Sequence, residues 1–93
     1  MAESTLDGPV ADRPPRITLF TRPGCHLCDD AKMALDRVAS ATGEQWVEVN
    51  VESDIELERE YGERLPVVLL DGKEHGYFRV EEDRLLRDLG RLN

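Results

Sequence analysis

Ile17-Thr18-Leu19-Phe20-Thr21-Arg22-Pro23-Gly24-Cys25-His26-Leu27-Cys28 holds both cysteines of the chain and two changes of pattern. Ile17 to Thr21 is a β-branched and apolar run bounded by Pro15 and by Pro23-Gly24, which predicts a short buried strand. Beyond that turn, Leu27, Ala31, Ala34, Leu35 and Val38 recur at helical spacing, with Asp29, Asp30, Lys32, Asp36 and Arg37 mostly on the other side. Asp29 and Asp30 lie near the start of this helix, where the macrodipole favours acids, and Thr42-Gly43 ends it. The cysteine pair therefore falls where a strand hands over to a helix.

The surroundings fit one small domain. The chain has 93 residues, with 12 Lys+Arg against 20 Asp+Glu and a net charge of −8, which argues against binding to a nucleic-acid backbone. Hydrophobic residues make up 40%, enough for one core, and no apolar run approaches the ~18 residues of a membrane span. Met1 to Pro9 has neither a basic start nor an apolar stretch, so no secretory signal is expected and a cytoplasmic location is. Residues 1–15 carry Pro9, Pro14 and Pro15 and no regular period, so they are predicted to be a disordered tail, leaving 16–93 as the domain.

Trp46 to Val51 alternates with period 2, predicting a strand with Val47, Val49 and Val51 on one face. Ser53-Asp54-Ile55-Glu56 has capping-box form, with Ser53 as N-cap of a helix running to Tyr61 and stopping at Gly62. Pro66 precedes a third strand, Val67 to Leu70, and Asp71-Gly72 turns it into an antiparallel return from about Lys73 to Phe78. A last helix, roughly Glu81 to Leu89, directs Leu85, Leu86 and Leu89 to the core. The expected architecture is α/β, a four-stranded mixed sheet flanked by three helices. Its first three strands are read as parallel through right-handed crossovers, and the hairpin as an antiparallel edge. Glu44 to Glu63 is strongly acidic and reads as a solvated face or as a docking surface for a basic partner.

A disulfide between Cys25 and Cys28 closes too short a loop to restrict the unfolded chain, so stapling does not explain the pair. A helix start does. Its N–H groups lack intrahelical partners and the macrodipole leaves about half a positive charge there. Cysteines so placed have pKa values of roughly 3.5–7.5, against ~8.5 for a free thiol. Arg22, folding back over the turn, would add to this field. At i and i+3 the two side chains share one helix face, within reach of a disulfide. Cys25 is thus the candidate nucleophile on a substrate disulfide, and Cys28 the resolving thiol that attacks Cys25 and frees the reduced substrate. Other readings of the pair are half a zinc or iron–sulfur site, or two inert buried thiols. His26 is either a cation tuning the thiolate or an exposed bystander, and no role is assigned to His75. Trp46 and Tyr77 read as packing residues.

Thr21-Arg22-Pro23-Gly24-Cys25-His26-Leu27-Cys28, Tyr61-Gly62 and Leu65-Pro66-Val67 ahead of Asp71-Gly72 resemble a glutaredoxin-type member of the thioredoxin-fold superfamily, over Ile17 to about Leu89. The resemblance implies a thioredoxin-like fold, a cis Pro66 facing the cysteines, and a Leu65 backbone that contacts substrate. It implies a thiol–disulfide oxidoreductase acting on protein disulfides or on mixed disulfides with low-molecular-weight thiols, re-reduced by a reductase or a thiol donor. No metal or organic cofactor, nucleic acid or membrane is implied, and a monomer is expected. The alternatives are a metal-binding module and a non-catalytic adaptor of the same fold. The chain departs from glutaredoxins in having His26-Leu27 where they have Pro-Tyr, and Arg64-Leu65 where they have Thr-Val. It has Gly76-Tyr77-Phe78-Arg79 where a Gly-Gly and an acidic pair help hold glutathione, so glutathione as reductant does not follow.

Overall fold

The computed structural model describes residues 14–91, so the predicted disordered tail lies outside the described residues as far as residue 13. The elements are β1 (Ile17–Thr21), α1 (His26–Thr42), β2 (Trp46–Asn50), a single 3₁₀ turn (Val51–Ser53), α2 (Ile55–Tyr61), β3 (Val67–Leu70), β4 (Lys73–Tyr77) and α3 (Glu82–Arg91). The four strands form one mixed sheet in the order β2-β1-β3-β4.

β1 pairs parallel with β2, but β3 runs antiparallel to β1, which corrects the expectation of three parallel strands. The reason is the length of α2. Its seven residues span about 10 Å, whereas carrying the chain back along the five-residue β1 needs roughly 17 Å. β2 ends with Asn50 opposite Thr21, and β3 begins with Val67 opposite Phe20, so the chain never leaves that end of the sheet. It is also the end from which β1 enters the cysteine loop.

Alternation divides the core between the two sheet faces. Ile17, Leu19, Val68 and Leu70 pack with Ala31, Leu35 and Val38 of α1 and with Leu85 and Leu89 of α3. Phe20, Val51, Leu65 and Val67 form a second cluster with Cys28, against which Leu57 and Tyr61 of α2 pack, Tyr61 stacked on Phe20 with ring centroids 4.5 Å apart. The apolar stripe of α1 is Cys28, Ala31, Ala34, Leu35 and Val38, and Gly43 closes the helix at φ 81, where a side chain would be strained.

Several local expectations shift. Leu27 is exposed, its place in the stripe taken by Cys28, and Leu86 is exposed beside the buried Leu85 and Leu89. Val47 is exposed on the edge strand, and Val51 reaches the core from the 3₁₀ turn rather than from β2. Asp54, not Ser53, caps α2, accepting from Glu56 N–H at 2.8 Å, because the 3₁₀ turn engages Ser53, whose hydroxyl donates to Asn50 O at 2.7 Å. Trp46 packs on the core and its indole N–H donates to Asp36 at 3.1 Å, whereas Tyr77 lies half exposed, edge-on to Phe78. A register shift between β3 and β4 leaves His75 unpaired in the ladder, and its ring meets Asp88 of α3 at 2.9 Å, tying the edge strand to the last helix.

Leu85 is fully buried and Leu86 is not. Leu85→Ala is expected to lower stability by about 2–5 kcal/mol and Leu86→Ala by less than about 1 kcal/mol, measured as denaturant midpoints at constant m-value.

Candidate active site

Pro23-Gly24 turns the chain out of β1, with Gly24 at φ 79, and delivers Cys25 to the N-cap of α1 in extended conformation, φ −95 and ψ 113. An N-cap side chain normally accepts from the orphan amides of the first turn, and here a thiol takes that place. Cys28 N–H donates to Cys25 Sγ at 3.2 Å, and Asp29 N–H donates to Cys25 O at 3.2 Å. Both cysteines are free thiols, Cys25 half-buried and Cys28 buried one turn inward. Burial, above all, pushes the Cys28 thiol up to about 11; its hydrogen bond with Cys25 acts in the same sense, while the Arg22 backbone N–H and the Lys32 ammonium oppose them.

Arg22 leaves β1 beside this pair but commits its hydrogen bonds to the opposite wall. It pairs with Glu58 of α2, approaches Glu52 at 3.7 Å and donates to Gly62 O at 3.4 Å. Its guanidinium is held above its ordinary value chiefly by Glu58, with Glu52 and Cys25 adding smaller shares. His26 is the first residue of α1 and is exposed. Leu65 and Pro66 are buried, the peptide bond between them is cis, and Leu65 shares the Cys28 cluster, against which Cys25 also packs. The fold thus gathers Arg22, Cys25, His26, Cys28, Leu65 and Pro66 at one end of the sheet.

Three further residues at this end escaped the sequence reading. Thr21 is buried, and its hydroxyl donates to Glu48 of β2 at 2.7 Å; Lys32 Nζ lies 3.2 Å from the same carboxylate oxygen. These two contacts hold the Glu48 carboxyl below the usual carboxylate range, Thr21 contributing most. The available signals were a threonine ending an otherwise apolar strand and a lysine four residues after Cys28. A fourth, Phe78, sits at φ 70, a strained conformation for a bulky residue, and its N–H donates to Pro66 O at 2.8 Å and Arg64 O at 3.3 Å, bracing the proline loop from β4. Among the described residues no three His, Cys, Asp or Glu side chains are grouped as a metal site requires, and no helix is long and apolar enough to cross a membrane.

A family model described as Glutaredoxin-like domain (DUF836) matches residues 16–90. An uncharacterized protein of Mycobacterium tuberculosis is 39% identical over 82 residues, spanning 83% of this chain and 84% of that protein. A crystal structure of a structural-genomics target from X. campestris matches with TM-score 0.66 and 33% identity, covering 81% of this chain and 96% of that one. Thioredoxin-2 of a malaria parasite matches with TM-score 0.62 at 19% identity over 81% of this chain and 80% of its own, a likeness of fold.

The unequal burial of the two thiols has a direct readout. Iodoacetamide at about pH 8 is expected to label the half-buried Cys25 first and the buried Cys28 more slowly; Cys28 modified as fast as Cys25 in peptide maps of partially labelled protein would contradict the geometry.

Proposed function

This chain belongs to the glutaredoxin-like domain family (DUF836), and we propose that it is a thiol–disulfide oxidoreductase with Cys25 as nucleophile and Cys28 as resolving thiol. One observation carries the reading: Cys25 Sγ caps the helix it opens while Cys28 lies buried beneath it on the same face. The sulfur that accepts an unpaired amide is also the one that reaches solvent, so a negative charge developing on it meets a ready donor and the positive end of a seventeen-residue helix.

In the proposed cycle the Cys25 thiolate attacks a substrate disulfide, the outer substrate sulfur leaves with the bonding electrons, and a mixed disulfide remains on Cys25. Cys28 then loses its proton and attacks Cys25, forming the Cys25–Cys28 bond and releasing the reduced substrate. The Leu65-Pro66 backbone, braced by Phe78, forms the wall against which the substrate chain would lie, and Arg22 fixes the cysteine loop to α2 through Glu58. The substrates are protein disulfides or mixed disulfides, and a reductase or thiol donor completes the cycle. The setting proposed is the cytoplasm, and the acting unit is a monomer.

Cys28→Ser is expected to trap a mixed disulfide through Cys25, visible by intact mass after exposure to an oxidised peptide, whereas Cys25→Ser should neither trap nor reduce it. Trapping through Cys28 would reverse the two roles, and an adduct in neither variant would remove the reading.

A further inference from the structure

Closing the disulfide requires Cys28 to become a thiolate in a buried position, and the structure fixes a cation one helical turn beyond it. Lys32 follows Cys28 at i+4 on α1, so the two side chains share a face. A lysine tail is ordinarily mobile, but this one is fastened: Nζ lies 3.2 Å from Glu48 Oε2 on β2 and 3.8 Å from Asp29 Oδ1. Glu48 is itself anchored by the buried Thr21 hydroxyl on the central strand, at 2.7 Å to the same oxygen.

We propose that Lys32, held by Glu48 and through it by Thr21, is the positioning residue that allows the buried Cys28 to act as resolving nucleophile. This rests on the thiol–disulfide reading above and assigns it a second-step determinant. The ammonium lowers the cost of the Cys28 thiolate, and that thiolate in turn raises the Lys32 pKa, the reciprocal sign of one attraction. Among the side chains facing Cys28, Lys32 is the cation that favours its thiolate. The Arg22 backbone N–H favours it more strongly as a fixed part of the main chain, while the Arg22 guanidinium turns to Glu52 and Glu58. Cys25 opposes ionisation of Cys28, and α2 contributes Leu57 and Tyr61 to the surrounding cluster. Glu48 is the nearby carboxylate, but the hydrogen bonds from Thr21 and Lys32 lower its pKa and make it a weak base. It acts as the fastening, and solvent takes the proton.

The reaction with dithiobis(nitrobenzoate), a symmetrical aromatic disulfide, separates the two steps. Cys25 attack releases one aryl thiolate and leaves the other arylthio group on Cys25 as a mixed disulfide. The Cys28 thiolate then attacks Cys25 Sγ, the S–S bond to the aryl sulfur breaks, and a second aryl thiolate leaves with the electron pair. In stopped flow the first release depends on reagent concentration and the second does not.

Lys32→Ala is expected to leave the first release near the wild-type rate. It should slow the second roughly three- to fivefold at about pH 7, the loss of thiolate being partly offset by its greater nucleophilicity, and displace its pH profile upward. Lys32→Arg should restore both. Glu48→Gln, which keeps an oxygen for Thr21 and Lys32 but removes the opposing charge, should give a second release no slower than wild type. An unchanged second release in Lys32→Ala overturns the proposal. So does a Glu48→Gln variant as slow as Lys32→Ala, which would make the carboxylate the proton acceptor. Absence of any first release from the wild-type chain would instead remove the thiol–disulfide reading on which the proposal stands.

Discussion

The cysteine-bearing end of this molecule is organised around a capping bond made by sulfur. A helix begins with amides that have no partner within the helix, and a folded chain normally satisfies them with Ser, Thr, Asp or Asn. Here the Cys28 N–H donates to Cys25 Sγ instead. That one contact completes the first turn of α1, orients the outer thiol, and sets the inner thiol one turn below it. A sulfur accepts more weakly than a carboxylate as a neutral group, but gains as an acceptor when ionised.

The sheet topology then determines what surrounds that cap. Because α2 is too short to carry the chain back along β1, β2 ends and β3 begins at the same end of the sheet as the cysteine loop. Pro66 and Leu65 reach the cysteines for this reason, although some forty residues separate them in sequence. The same shortness brings Glu58 and Gly62, at the end of α2, within reach of Arg22. A longer second helix with a parallel third strand would place the proline loop at the opposite end of the sheet, and the cysteine pair would stand alone.

The sequence disclosed the elements better than their relations. β1, the end of α1 at Gly43, β3 and the Asp71-Gly72 hairpin were legible because strong local signals coincide there: β-branched runs, a left-handed glycine, and the turn dipeptide. The direction of β3 was not, because strand polarity is settled by how far α2 reaches across the sheet, a tertiary quantity. Leu27 and Leu86 were assigned to the core because helical spacing identifies a stripe but not its edges, and Cys28 was not counted among the apolar positions although it fills one. The cysteine pair, Pro66 and Arg22 could be named from the chain. Thr21, Glu48 and Lys32 could not be joined, since their hydrogen bonds link β1, β2 and α1, and nothing local records such a triangle.

The two thiols are the same functional group three residues apart, and their environments make them unequal in a way that orders the proposed steps. In the reduced chain Cys28 is held at about 11 by burial, by its hydrogen bond with Cys25 and by repulsion from Cys25 charge, against the opposing Arg22 amide and Lys32. Two of those three restraints belong to Cys25. Once Cys25 is bonded to a substrate sulfur it carries no charge, so the repulsion disappears and the hydrogen bond weakens, while burial, the largest restraint, stays and is countered by the amide and the ammonium. In the proposed cycle the restraint on Cys28 is thus eased when Cys25 is occupied.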